Sequence, residues 1–318
     1  MIPTFLRQAR PAAAVLLAAA LALAGPAGAQ PEAVRIVVPA PAGGSLDATA
    51  RILAQRMTAL TGEPHVVENK PGANTQIGNE YVARSAPDGR TLLYAGLSLV
   101  INPLLQKSAA RNLQDLRPVI AVSREPYSLV VSSALKLPSV RELGRVIAAR
   151  QGGLNCAAPP GVMLLGCEQL RHRYPNINVI PYPGVAPALG ALAGGHVDAV
   201  FVPMETAARV VQGRQADIVA TADTHTLPGV PTITAIWPDF AMESIQGVLV
   251  PTATPDARVR QLNEQLARVL SEPDTQERLR AVGHDPLKAG APEDYGRMLA
   301  DLSRRYGAVV DKLGLAAR

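Results

Sequence analysis

The residue types that could do chemistry are few and scattered. His65, His172, His196, His225 and His284 stand singly. No two have the HExxH or HxH spacing that puts two imidazoles on one metal, so each reads as a surface or interface residue. Gly96-Leu97-Ser98-Leu99-Val100 opens like a nucleophile elbow but lacks the closing glycine that lets a helix pack behind the serine. There is no GxGxxG and no P-loop lysine, and no sequence rule pairs two carboxylates in a cleft. What remains is binding geometry. Pro39-Ala40-Pro41-Ala42-Gly43-Gly44-Ser45-Leu46-Asp47 falls between an apolar β-branched run and a helical period. Gly43 and Gly44 allow successive N–H groups to point outward, Ser45 suits a helix N-cap, and the helix start adds partial positive charge. A carboxylate there would be held mostly by main-chain donors. The same residues also fit a plain strand–helix turn, in which Asp47 satisfies the first-turn amides and competes with an anionic ligand. Two more loops, residues 69–75 and 157–161, occupy the same strand–loop–helix position. In open α/β sheets ligands bind at the carboxyl ends of strands.

The elements that must position these loops alternate. Residues 35–39, 65–68 and 91–95 read as strands, separated by helical periods over 46–60 and 76–84. Further strands are expected at 119–122, 129–131, 155–158, 178–182, 197–202, 217–221 and 247–250. Helices are expected at 140–150, 162–173, 187–192, 255–270, 273–282 and 292–313, with a connector over 227–238. Such alternation predicts parallel sheets with helices on both faces, because parallel strands need crossovers. Two α/β lobes are the simplest packing. The C-terminal segment fits either a third unit or a return to the first lobe.

The N-terminus reads as an export signal. Arg7 and Arg10 precede an unbroken apolar run over 12–24, which ends at Ala27-Gly28-Ala29. Thirteen apolar residues fall short of a hydrocarbon core of ~30 Å. The mature chain is expected to begin at Gln30, without a cysteine there for a lipid anchor. The 318 residues are 48% hydrophobic and 18% charged, enough for real cores and against disorder. Removing Arg7 and Arg10 leaves 29 basic against 26 acidic residues. With only 3% aromatics, this excludes a nucleic-acid footprint. Cys156 and Cys167 enter an oxidising space. A disulfide and a pair of buried thiols both fit.

Taken in order, the loops carry a resemblance. Ile36-Val37-Val38-Pro39 with Pro41-Ala42-Gly43-Gly44-Ser45-Leu46-Asp47 comes first, then Val67-Glu68-Asn69-Lys70-Pro71-Gly72-Ala73 and Ala86-Pro87-Asp88-Gly89-Arg90-Thr91. Tyr182-Pro183-Gly184-Val185-Ala186-Pro187, Gly194-Gly195-His196-Val197-Asp198, Pro228-Gly229-Val230-Pro231-Thr232 and Val250-Pro251-Thr252-Ala253-Thr254-Pro255 follow. Across the mature chain this resembles the Bug family, the extracytoplasmic solute receptors of tripartite tricarboxylate transporters.

The resemblance implies an α/β periplasmic binding protein of type II, with two lobes and two interlobe crossovers. Its parts would be a signal peptide (1–29), lobe one (30–124), lobe two (125–236) and a return to lobe one (237–318). It implies a periplasmic, monomeric receptor that captures a small organic carboxylate for the transporter membrane subunits, with no cofactor, metal or catalysis. A sensor feeding a two-component system is the alternative partner arrangement. Carried over residue by residue, the site comprises Ala42, Gly43, Gly44 and Ser45, then Ala73, Asn74, Thr75 and Ser98. Pro160, Gly161, Val162 and Met163 add backbone groups from the loop before the lobe-two helix, Tyr182 and Pro183 line the lobe-two wall, and Asp47 organises the first loop. The chain departs from the family at Asn74-Thr75, where Gly-Gly is usual, so side-chain hydrogen bonds are expected there. It also departs at Val162-Met163-Leu164-Leu165, usually hydroxyl-rich and ending in histidine, and at Val202, often aspartate. The last two losses predict an apolar far end of the ligand, as in an aromatic monocarboxylate, because a tricarboxylate would bury unpaired charge.

Overall fold

The computed structural model describes residues 33–105, 114–213, 215–222 and 227–316. The export signal and His225 lie outside the described residues. The first half runs β1 (Val34–Val38), α1 (Ser45–Thr61), β2 (His65–Asn69), α2 (Gln76–Ala83), β3 (Thr91–Ala95), α3 (Ser98–Leu105) and β4 (Leu116–Arg124). The chain then enters β5 (Tyr127–Ser132), α4 (Leu143–Ala148), β6 (Leu154–Ala158), α5 (Val162–Arg173) and β7 (Ile177–Pro181). It continues through α6 (Val185–Ala193), β8 (Ala199–Pro203), α7 (Met204–Val211) and β9 (Ala216–Thr221). Finally come β10 (Ile245–Pro251), α8 (Asp256–Ser271), α9 (Pro273–Ala281), β11 (Asp285–Pro286) and α10 (Pro292–Lys312).

These strands form two sheets, ordered β11-β4-β10-β3-β1-β2 and β7-β6-β8-β5-β9. The chain therefore crosses from the first sheet to the second after β4 and returns before β10. The C-terminal segment belongs to the first sheet: α10 packs on β4 and α3 through Tyr295, Leu299, Leu302, Tyr306 and Val310. Their steps of four, three, four and four put them on one helical face.

The expectation of purely parallel sheets needs correction. β1 is parallel to β2 and β3, and β6 to β7 and β8, but β10 runs antiparallel between β3 and β4, and β5 antiparallel between β8 and β9. The physical reason is delivery. A strand built by a βα unit returns along its predecessor, whereas a strand arriving from the other sheet enters from the opposite end.

The two crossings lie side by side. The Glu125 amide donates to the Ser244 carbonyl at 3.0 Å, and the Ala222 amide to the Tyr127 carbonyl at 2.7 Å. Helices cover both faces of each sheet, so neighbouring strand residues such as Leu92 and Leu93, or Phe201 and Val202, are fully buried together. Two histidines read as surface residues are interior instead. His65 bonds the Glu63 carbonyl through Nδ1, and His284 faces Ser123 Oγ at 3.3 Å. Burial lowers both pKa values, which keeps these imidazoles neutral.

Candidate functional site

The first loop follows the carboxyl end of β1. Gly43 has φ +88°, a left-handed conformation that a side chain would strain. Its amide donates to Asp47 Oδ2 at 2.9 Å. Asp47 is buried, and it also accepts from Arg51 Nε at 2.9 Å and from Asn69 Nδ2 at 2.9 Å. Asn69 in turn donates to the Ala40 carbonyl at 3.2 Å. The loop is thereby tied to the end of β2. Burial pushes the Asp47 carboxyl up, but the bonds from Arg51, the Gly43 amide and Asn69 together hold it below its usual value. Asp47 is thus charged, neutralised by Arg51, and turned into the loop.

Two expectations about this loop change. Gly44, not Ser45, is the helix cap, with no side-chain cap bond. Ser45 is the first helical residue, and its hydroxyl donates to Glu125 Oε1 at 2.9 Å. Of the amides of Gly43, Gly44 and Ser45, that of Gly43 is taken by Asp47, while those of Gly44 and Ser45 have no acceptor among the described residues. The first intrahelical bond is from Ala48 to the Gly44 carbonyl. An uncapped helix start of this kind presents unsatisfied donors and a positive dipole end.

These amides border a cavity of about 230 Å³ between the halves. Gly43, Gly44, Ser45 and Ala48 line it from the first half, with Val282 and Gly283; Pro203, Glu205, Thr206 and Arg209 line it from the second, and Glu125 lies at the crossing. Glu125 Oε2 accepts from the Tyr127 hydroxyl at 2.7 Å. Burial, with Glu125 alongside, raises the Tyr127 pKa well above its usual value, so it stays a donor. Glu205 pairs with Arg209 at 2.9 Å. The halves touch closely here: a Cβ on Gly283, φ +85°, would lie 2.6 Å from Glu205 Cβ. Sequence reading missed Glu125, Glu205, Thr206, Arg209 and Gly283. The one local signal was a charged Glu125-Pro126 trapped between two apolar strands.

The second loop, after β2, holds Ala73, Asn74 and Thr75 consecutively at φ 45°, 52° and 76°. The expected side-chain hydrogen bonds exist, but they run inward. Asn74 Nδ2 donates to Asn102 Oδ1 at 2.7 Å, and Asn102 Nδ2 reaches back to the Asn74 carbonyl and to Thr75 Oγ1. Ser98, half-buried, starts α3 just beyond β3. The order β3-β1-β2 places these three loops side by side at the carboxyl ends of parallel strands.

In the second half, Gly161 caps α5 without a side-chain bond, Pro160 and Pro183 are exposed, and Met163 and Tyr182 are half-buried. None of them lines the cavity described above. Val162 and Val202 do not fit their expected place: at 5% and 0% exposure both are built into apolar cores. Adjacent strand residues both point into covered faces, so Val202 has no free side to offer a ligand. Cys156 in β6 and Cys167 in α5 form a disulfide, with Cα atoms 5.9 Å apart, that closes the loop carrying Pro160 and Gly161.

Two α/β sheets, crossed twice by the chain, with uncapped helix starts at strand ends and a cavity between the halves, form an arrangement that can hold a small anion on main-chain donors. Residues 49–315 match the family described as tripartite tricarboxylate transporter family receptor, and the chain belongs to that family. It is 32% identical over 292 residues to protein BugT of Bordetella pertussis, covering 88% of this chain and 89% of BugT. The solved structure of the periplasmic binding protein BugD is similar with a TM-score of 0.77 and 26% identity, covering 90% of this chain and 98% of BugD. An R. palustris protein with adipate reaches a TM-score of 0.78 at 27% identity, covering 90% of this chain and 98% of its own. MatC from Rhodopseudomonas palustris, with bound malate, reaches 0.74 at 27%, covering 87% and 98%.

Proposed function

We propose that this protein is an exported solute receptor that captures a small organic carboxylate between two lobes and hands it to the membrane subunits of a tripartite tricarboxylate-type transporter. The observation that carries this reading is the uncapped start of α1. Among the described residues its Gly44 and Ser45 amides have no acceptor, and both residues line a cavity shared by both halves. A carboxylate held there meets donors already fixed in place by Asp47, so little ordering opposes binding. Because the cavity is walled from both sides, a ligand that touches both stabilises the closed arrangement over the open one. The lobes are assigned to residues 30–124 with 237–318, and to 125–236. In this reading Ser98, Ala73, Thr75, Met163, Tyr182 and Pro183 complete the site when the lobes close.

The ligand class follows from charge. With Val162 and Val202 in the core, an apolar far end has no support from those residues. The cavity wall carries Glu125 and Glu205 against a single cation, Arg209. Each further carboxylate on a ligand meets like charge in a partly desolvated space, so mono- and dicarboxylates are favoured over tricarboxylates. Adipate and malate, bound by similar proteins, belong to that class.

A thermal-shift and calorimetric series with benzoate, adipate, malate, citrate and adipamide tests the reading. A cognate acid at 100 times its Kd stabilises the protein by about 2.7 kcal/mol. Binding of at least one mono- or dicarboxylate, with citrate weaker and neutral adipamide inert, is the expected result. No binding by any acid, or equal binding of adipamide, overturns it. N-terminal sequencing of secreted protein beginning at Gln30, and a monomer in gel filtration, test export and oligomeric state.

A further inference from the structure

We infer that the second crossing between the lobes pivots at Met242, and that the Lys312–Asp239 ion pair is a latch across that pivot which favours the closed arrangement; this rests on the reading of function above. Residues 237–241 are bound to the second half. Gln169 of α5 holds Ala241 at both backbone groups: its Oε1 accepts from the Ala241 amide at 2.9 Å, and its Nε2 donates to the Ala241 carbonyl at 2.9 Å. Arg173, also in α5, donates to Asp239 Oδ1 and lies over the rings of Trp237 and Phe240, 5.4 and 5.5 Å from their centroids. Tyr174 meets Trp237 edge to face at 6.1 Å, and Phe240 meets Phe201 of β8 at 5.8 Å. Two residues on, the partners belong to the first half. The Tyr306 hydroxyl of α10 donates to the Glu243 carbonyl at 2.8 Å, Arg305 donates to Glu243 Oε2, and Arg124 of β4 pairs with Oε1 at 3.1 Å.

Between these two anchored residues stands Met242. It is buried, yet its amide and carbonyl have no hydrogen-bond partner among the described residues, so packing alone holds its dihedrals. The first crossing narrows in the same way. The Glu125 amide is bonded to Ser244 in the first half, whereas the Pro126 carbonyl accepts from the Met204 amide of α7 at 2.8 Å. That pivot therefore lies between Glu125 and Pro126. Hinges concentrate rotation in a few residues at the ends of elements. Rotation about these two points carries residues 237–241 with the second half, so the second lobe boundary moves from 237 to 242. Asp239 then belongs to one lobe, and Lys312, the last residue of α10, to the other. Lys312 Nζ donates to Asp239 Oδ2 at 3.1 Å. Arg173 holds the other carboxylate oxygen, so Asp239 cannot follow Lys312 when the lobes part. In the arrangement that contains this pair, the halves meet at Gly283 and Glu205 and enclose the cavity. Opening breaks the pair, and the pair weights the equilibrium towards closure. A ligand that binds the closed form has its apparent affinity scaled by the fraction closed.

Calorimetric titration with benzoate, adipate and malate, together with small-angle scattering of the unliganded protein, tests this; the thermal midpoint shows that each variant is folded. Both side chains of the pair are about half exposed, so Lys312→Met is expected to weaken binding by about two- to fivefold. Lys312→Glu, which faces Asp239 with like charge, weakens it further, and Lys312→Arg recovers wild-type affinity because it keeps the charge. The affinities of wild type and Lys312→Met converge in about 0.5 M salt, where an exposed pair is screened. Without ligand, Lys312→Glu has a larger radius of gyration than wild type. Trp237, the one tryptophan of the chain, moves with its ring neighbours Tyr174, Arg173 and Phe240, so its emission stays constant through a titration with adipate or malate. Equal affinities of wild type and Lys312→Glu, equal radii, or Trp237 emission that changes and saturates at the calorimetric Kd overturns the inference. If wild type binds none of the three acids, the proposed function falls, and the scattering comparison alone decides the latch.

Discussion

Breaking the Cys156–Cys167 bridge should loosen the second half measurably. Both sulfurs are buried, and the bridge joins β6 to α5 across 11 positions. It encloses Pro159-Pro160-Gly161, the turn that starts α5. In the chain-entropy account, cross-linking a loop of this length removes about 2.8 kcal/mol of freedom from the unfolded chain at 25 °C. For a domain of 150–250 residues each kcal/mol shifts the melting temperature by about 2–4 °C, so a fall of roughly 5–11 °C is expected. Thermal and urea unfolding followed by circular dichroism supply the assay, comparing oxidised wild type, wild type under reductant, and Cys156→Ala/Cys167→Ala. Reduced wild type and the double variant should agree with each other and lie below the oxidised protein. Amide exchange at Gly161, Val162 and Met163 should also quicken, because the tether no longer limits local opening. A double variant within about 0.5 kcal/mol of oxidised wild type would refute the reasoning, leaving packing alone to hold strand and helix together.

Acid should release the first loop through Asp47. Its folded pKa lies below the usual 3.8, so its contribution is complete above about pH 4 and is lost as pH falls through the depressed folded value; a carbon-detected NMR titration showing a normal or raised value contradicts this. Gly44→Ala should leave stability within about 0.5 kcal/mol, since the backbone is extended and a new Cβ meets only the Pro41 carbonyl at 4.0 Å. The methyl group nevertheless crowds the cavity and should weaken carboxylate binding. Gly43→Ala, at φ +88°, should lose about 1 kcal/mol or more of stability, and urea midpoints distinguish the two. Gly247→Ala should destabilise by about 1–3 kcal/mol, because its Cβ would lie 2.5 Å from the Ile120 carbonyl oxygen and 2.5 Å from the Tyr295 ring; an unchanged midpoint would show that β10 can shift to make room.

The sequence made the strand–helix rhythm legible where apolar period and turn residues agreed. β1, α1, β3 and α5 fall within a residue or two of expectation. It concealed α3, whose continuous apolar run, interrupted by Pro103, has no helical period. It also concealed α7, which begins directly at Met204 with no turn after β8. Strand direction was invisible because periodicity is the same for parallel and antiparallel pairs. Val202 was misread for a related reason: in a sheet covered on both faces a polar-to-apolar change does not tell groove from core. The Gly43, Gly44 and Asp47 loop was legible because backbone freedom and a first-turn acid are local properties. Glu125, Glu205 and Arg209 come together only through the crossing and the packing of α7, so nothing local announces them. The disulfide was one of two open readings, since its pairing depends on where α5 lies on β6.

The most direct measurement is a nitrogen–proton correlation NMR titration of the labelled protein with whichever of benzoate, adipate or malate binds by calorimetry. The Gly44 and Ser45 amide protons should move downfield and saturate at the calorimetric Kd, with Gly43 moving less because Asp47 already holds it. Saturable binding of the acid with the Gly44 and Ser45 amides unmoved would contradict the account.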